Sequence, residues 1–177
     1  PRSSWLRQVP GTLLLLVFAV GIGLIAMTEQ GLSLSALSGR SLSWWLTPAI
    51  VFVPTILAYT LLWHVLFLGG LRKLLGPGRW RTAAAVVITA AVYAVYHVAS
   101  VDEIQGVGPM LEEIGITFAI RLVLLSFVVL SGSIAPALIA DAVINYLVFL
   151  PMDHFHPPVV QALVGVSVAG AVVLVYR

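Results

Sequence analysis

Six runs of largely apolar residues, at 11–27, 44–70, 82–100, 110–130, 133–151 and 157–176, take up most of this chain and hold only four of its charged residues, Glu112, Glu113, Arg121 and Asp141. A helix needs about 17 to 25 such residues to cross a bilayer, and each run is roughly that long. A backbone in lipid must satisfy every N–H and C=O within the protein, so continuous apolar runs of this length read as helices. Hydrophobic residues make up 60% of the 177 and charged residues only 9%, with a mean hydropathy of +1.08. A soluble domain of this length cannot bury that much apolar surface. The expected fold is all-α, a polytopic membrane helix bundle of about six transmembrane helices forming a single domain over 1–177. No second soluble domain, internal repeat or low-complexity segment is expected.

Turn residues separate the runs: Gly-Pro-Gly at 76–78, Gly-Val-Gly-Pro at 106–109, Ser-Gly-Ser at 131–133 and Pro157-Pro158. The first run follows Arg2 and Arg7 and leaves through Met27-Thr28-Glu29-Gln30, which reads as a span rather than a cleaved signal. The chain begins at Pro1 instead of methionine, so the sequence leaves room for residues upstream. Arg2, Arg7, Arg72, Lys73, Arg79, Arg81 and Arg177 fall on one side of a six-span layout, against Arg40 alone on the other. Basic residues favour the cytoplasmic side, so both termini are expected there. The formal net charge of +2 follows from that layout and does not point to nucleic acid. Expected partners are membrane lipids and other membrane subunits, met through lipid-facing Leu, Val and Phe or through small residues such as Gly165 and Gly170. Trp44, Trp45 and Trp80 sit at span ends, as an interfacial aromatic belt requires. There is no cysteine, so disulfides and thiolate metal sites are excluded.

Inside the apolar runs lie five polar side chains: His64, His97, Arg121, Asp141 and Asn145. Ionisable groups at that depth are costly unless they face a partner or a wet cavity, so these five mark where function is sought. Side chains four apart share a helix face, which places Tyr93 with His97 and Asp141 with Asn145. His64 lies four residues after Thr60 and four before Leu68, a nearly bare stripe. Arg121 and Asp141 stand about ten residues either side of Ser131-Gly132, which puts them at similar depth on antiparallel neighbours as a structural ion pair. His64 and His97 differ in depth by about 10 Å on the same arithmetic. Asp153, His154 and His156, in Pro-Met-Asp-His-Phe-His-Pro-Pro, have the look of a metal clip, but a solvated turn explains them as well and no metal site is assigned. Glu112 and Glu113 open the fourth run and read as charges capping a helix N-terminus.

Residues 132–146, Gly-Ser-Ile-Ala-Pro-Ala-Leu-Ile-Ala-Asp-Ala-Val-Ile-Asn-Tyr, resemble the last motif of the CPBP intramembrane proteases, which include the CAAX prenyl proteases and the bacterial Abi proteins. In that family a catalytic His is followed four residues later by Asn; here Asp141 holds the His position and Asn145 the Asn. Tyr93-Ala-Val-Tyr-His97 resembles the family's Phe-x-x-x-His. Trp63-His64-Val-Leu-Phe-Leu68-Gly69 falls where the family has Glu-Glu-x-x-x-Arg-Gly, so Trp63, His64 and Leu68 replace all three charged positions. The resemblance covers about 44–151 and implies the family's helical core.

Three functions follow as expectations. The first is a non-proteolytic derivative acting as a binding or scaffold subunit of a membrane complex, because Trp63 cannot accept a proton where the family's water-activating Glu stands. The second is an active intramembrane peptidase with a rearranged site: His97 and His64 as base and electrophilic stabiliser, Asp141 orienting them and Asn145 binding the oxyanion. The third is a haem- or chlorophyll-type tetrapyrrole binder with His64 and His97 as axial ligands. The sequence by itself names no cofactor.

Overall fold

The computed structural model describes residues 5–29, 40–99 and 106–149. Every described element is helical, in the order α1 (Trp5–Glu29), α2 (Leu42–Leu61), a π-helical segment (Leu62–Phe67), α3 (Leu68–Leu75), α4 (Arg79–Ala99), α5 (Val107–Ser131) and α6 (Ala135–Phe149). The first five expected spans each coincide with a helix, most running a few residues past the apolar run, because helical hydrogen bonding does not stop where apolarity stops. The expected sixth span, 157–176, lies outside the described residues, as do Asp153, His154 and His156. Val9–Glu29, Arg79–Ala99 and Val107–Ser131 are long and apolar enough to cross a membrane, and Ala135–Val148 is a shorter apolar helix. The protein is an integral membrane protein.

Two expectations need correcting. The second run continues past 70 to Leu75 and changes its hydrogen-bonding pattern on the way. Bonding from i to i+5 at Leu62–Phe67 breaks the i, i+4 spacing that aligned His64 with Thr60 and Leu68, so that stripe does not exist as drawn. The helix of the fourth run starts at Val107, so Glu112 and Glu113 lie in its second turn and do not cap it.

The helices pack as two units. In the first, α6 lies against both α1 and α2. Ala19 of α1 and Ala137 and Ala140 of α6 are fully buried, and small residues of this kind let helix backbones approach closely where no hydrophobic effect drives association. α1 comes close to α6 at Gly23, where an added Cβ would stand 2.5 Å from Leu147 Cδ1 and 2.6 Å from Leu147 Cβ. The Tyr146 hydroxyl donates to the Trp45 carbonyl at 2.8 Å, which joins α6 to α2 a second way.

In the second unit, α4 packs along α5, and α3 packs on α4. Its core is Leu68, Ala85, Val86, Ala90 and Leu125, flanked by Leu71, Leu75, Phe118, Leu122 and Val129. The Thr89 hydroxyl disposes of its polarity within α4 by donating to the Ala85 carbonyl at 2.7 Å. Gly132 ends α5 in the left-handed conformation, φ 68°, with its N–H on the Val128 carbonyl at 3.0 Å. Any side chain there would meet the left-handed penalty.

Gly23→Ala is expected to destabilise the first unit by about 1 to 3 kcal/mol, because Leu147 Cβ is fixed to the α6 backbone and cannot swing aside. A thermal melt in detergent checks this, with Gly21→Ala, which meets nothing within 4 Å, as the neutral comparison.

Candidate functional site

Each unit holds part of the polar set. In the first unit, Asp141 is 2% exposed on α6. A buried carboxylate needs donors for both oxygens. Oδ2 accepts from the Thr60 hydroxyl of α2 at 2.5 Å, and Oδ1 accepts from Asn145 Nδ2 at 2.9 Å. Asn145 Nδ2 also donates to the Asp141 carbonyl at 2.8 Å. The i, i+4 pairing of Asp141 with Asn145 read from the sequence is therefore present. In this arrangement Asn145 Nδ2 lies on two oxygens of Asp141, the backbone carbonyl and Oδ1.

In the second unit, the described polar residues form a seam along α4 and α5. Glu113, Thr117 and Arg121 are spaced by four on α5, and Tyr93 and His97 by four on α4, so the two stripes can face one another. At the buried end, Arg121 Nη2 donates to the Tyr93 hydroxyl at 2.6 Å, and its guanidinium carbon lies 3.8 Å from the Tyr93 ring centroid. A guanidinium over an aromatic face gains a cation–π attraction that desolvation strengthens. The Tyr93 ring stacks on His97, centroids 6.0 Å apart. At the open end, His97 Nε2 lies 3.7 Å from Glu113 Oε1, with the two side chains 35% and 40% exposed. The Thr117 hydroxyl donates to that same oxygen at 3.3 Å.

The π-helical segment places Trp63 and His64 in the interior. Trp63 packs against Phe67 at 5.1 Å, Tyr93 at 5.3 Å and Tyr96 at 5.5 Å between ring centroids, and its Nε1 has no hydrogen-bond partner among the described residues. An indole in an aromatic nest donates and stacks, but it takes up no proton. His64 is buried while His97 is half-exposed, so the two histidines sit in different surroundings. Arg121 and Asp141 belong to different units, and their pairing stays an inference from spacing. No group of three or more His, Cys, Asp or Glu suited to a metal ion occurs among the described residues. An open groove of about 330 Å³ on α2 and α6, lined by Leu57, Leu138, Ile139, Ala142, Val143 and Tyr146, is apolar and offers no reactive group.

Sequence reasoning missed Glu113 and Thr117 as members of the polar set. Their spacing to Arg121 was visible, but it was obscured by placing Glu113 at a helix start.

The architecture and its intramembrane polar groups define a helical integral membrane protein of the kind expected from the motifs. A family model described as Type II CAAX prenyl endopeptidase Rce1-like matches residues 39–147, and the chain belongs to that family. No curated protein and no solved structure matches it.

Thr60→Val keeps the shape of the side chain and deletes its hydroxyl, which removes one buried donor from Asp141 Oδ2. The expected cost is about 1 to 3 kcal/mol of stability, seen as a lower melting temperature in detergent. Thr28→Val, at an exposed hydroxyl bonded only to its own helix, is the comparison expected to change little.

Proposed function

We propose that this chain is a non-proteolytic member of its family that serves as a binding or scaffold subunit in a membrane complex. The observation that carries the reading is the commitment of Asn145 to Asp141: an amide that donates twice to its own helix has no proton to offer an oxyanion. Asp141 has both oxygens already accepting hydrogen bonds from protein side chains, Thr60 and Asn145, rather than aimed at a substrate water. Trp63 stands where the family pattern has its first, water-activating Glu, and an indole takes up no proton. In this reading the interior polar groups serve to hold helices together, and binding falls to the outward apolar faces. The same reading includes six spans, both termini in the cytoplasm and Arg121 paired with Asp141, all inferred from the sequence.

The purified chain, reconstituted in liposomes, is expected to leave a prenylated peptide ending in a CAAX sequence intact over the blank rate. Solubilised from its native membrane in mild detergent, it is expected to bring down another membrane protein in fixed stoichiometry. Peptide cleavage, or isolation as a bare monomer, counts against the reading.

One observation favours the peptidase instead. The half-exposed pair His97 and Glu113 sets a carboxylate beside the histidine of the Phe-x-x-x-His position, within reach of water. There His97 would act as general base and Glu113 would orient it, a combination that typically contributes about 10² to 10⁴-fold in rate. If the peptide is cleaved, Glu113→Gln is expected to lower kcat by about 10²-fold at nearly constant KM. Equal cleavage by the variant excludes that assignment.

A further inference from the structure

We propose that the turn joining α3 to α4 is a binding site for the phosphate of an anionic phospholipid. Arg72, Lys73, Arg79 and Arg81 fall within ten consecutive residues, and all four are exposed. No Asp or Glu occurs between Glu29 and Asp102. The acids of the neighbouring α5 are in its second turn, and Glu113 meets His97 near the far end of α4, eighteen residues from Arg79, or about 27 Å along the helix. That distance exceeds the ~8 to 10 Å over which charges act through physiological salt.

The backbone gathers these charges. Gly76 closes α3 by donating to the Arg72 carbonyl at 3.1 Å, and Thr82 N–H bonds the Gly78 carbonyl at 2.9 Å as α4 begins. Arg81 bends back over the turn, its Nη1 3.1 Å from where a Cβ on Gly76 would be. Arg79 and Arg81 occupy the first turn of α4, where the helix dipole is already positive, so an anion relieves both the side chains and the helix end. Guanidinium forks match phosphate oxygens in pairs.

The flanks select a lipid over a soluble anion. Leu74 is 81% exposed and Trp80 is 76% exposed, one on each side of the turn. The Arg79 guanidinium carbon lies 5.5 Å from the Trp80 ring centroid, joining a charge to an amphipathic ring. Because α4 is itself apolar enough to span from Arg79 onward, the turn lies at the boundary where headgroup phosphates are and where tryptophan is favoured. The site is independent of any catalysis by the chain.

The test titrates the full chain in detergent micelles with phosphatidylglycerol or phosphatidylcholine and counts retained lipid by native mass spectrometry. The parent is expected to retain phosphatidylglycerol about tenfold better. Arg72→Gln/Arg79→Gln/Arg81→Gln is expected to lose that preference, the corresponding triple Arg→Lys variant to keep most of it, and Arg40→Gln to keep all of it. Single Arg81→Gln, a milder change to folding, is expected to lose part. Equal retention of the two lipids by the parent, full preference in both the triple Arg→Gln variant and Arg81→Gln, or loss of preference in Arg40→Gln overturns the site. Displacement of phosphatidylglycerol by inorganic phosphate at equal concentration overturns its assignment to a lipid.

Discussion

A carboxylate buried in an apolar membrane helix has to be supplied with donors by the protein, and in this chain that requirement organises the first unit. Lipid offers Asp141 no donor, and Thr60 of α2 and Asn145 of α6 both donate to its carboxylate. The Thr60 bond ties α2 to α6 through their interior. The Asn145 bonds hold its amide on two oxygens of Asp141, one turn back on the same helix.

The second unit solves the same problem with a cation. Arg121 is met by the hydroxyl and the ring face of Tyr93, and a polar seam leads from there through His97 to the half-exposed Glu113. A seam of this kind grades from a buried, fixed end to an open end that water can reach. The fixed end has the character of packing. The open end is where the chain keeps a histidine beside a carboxylate, and for that reason membership of an endopeptidase family does not by itself decide activity.

The exposed surface follows from the solvent. Large apolar residues such as Leu14, Val17 and Leu130 are outward because lipid imposes no penalty on them, while the basic residues cluster at the α3–α4 turn, where a span ends. Small residues then do the work at the helix contacts: Ala19, Ala137 and Gly23 bring α1 onto α6 by lacking bulk.

From the sequence, the helical membrane class, the positions of five helices, the family and the Asp141 and Asn145 stripe could all be read. Apolar run length and i, i+4 spacing are local properties, and lipid leaves a backbone few alternatives to the helix. The π-helical turns around His64 were not legible, because nothing in Leu-Trp-His-Val-Leu-Phe distinguishes bonding to i+5 from bonding to i+4. Nor were the roles of Thr60 and Glu113. Thr60 is 81 residues from Asp141, and Glu113 meets His97 only because α4 and α5 pack side by side. Which donor reaches which acceptor depends on helix rotation and stagger, set by the sum of many weak contacts between distant segments. That sum exists only once the helices have packed.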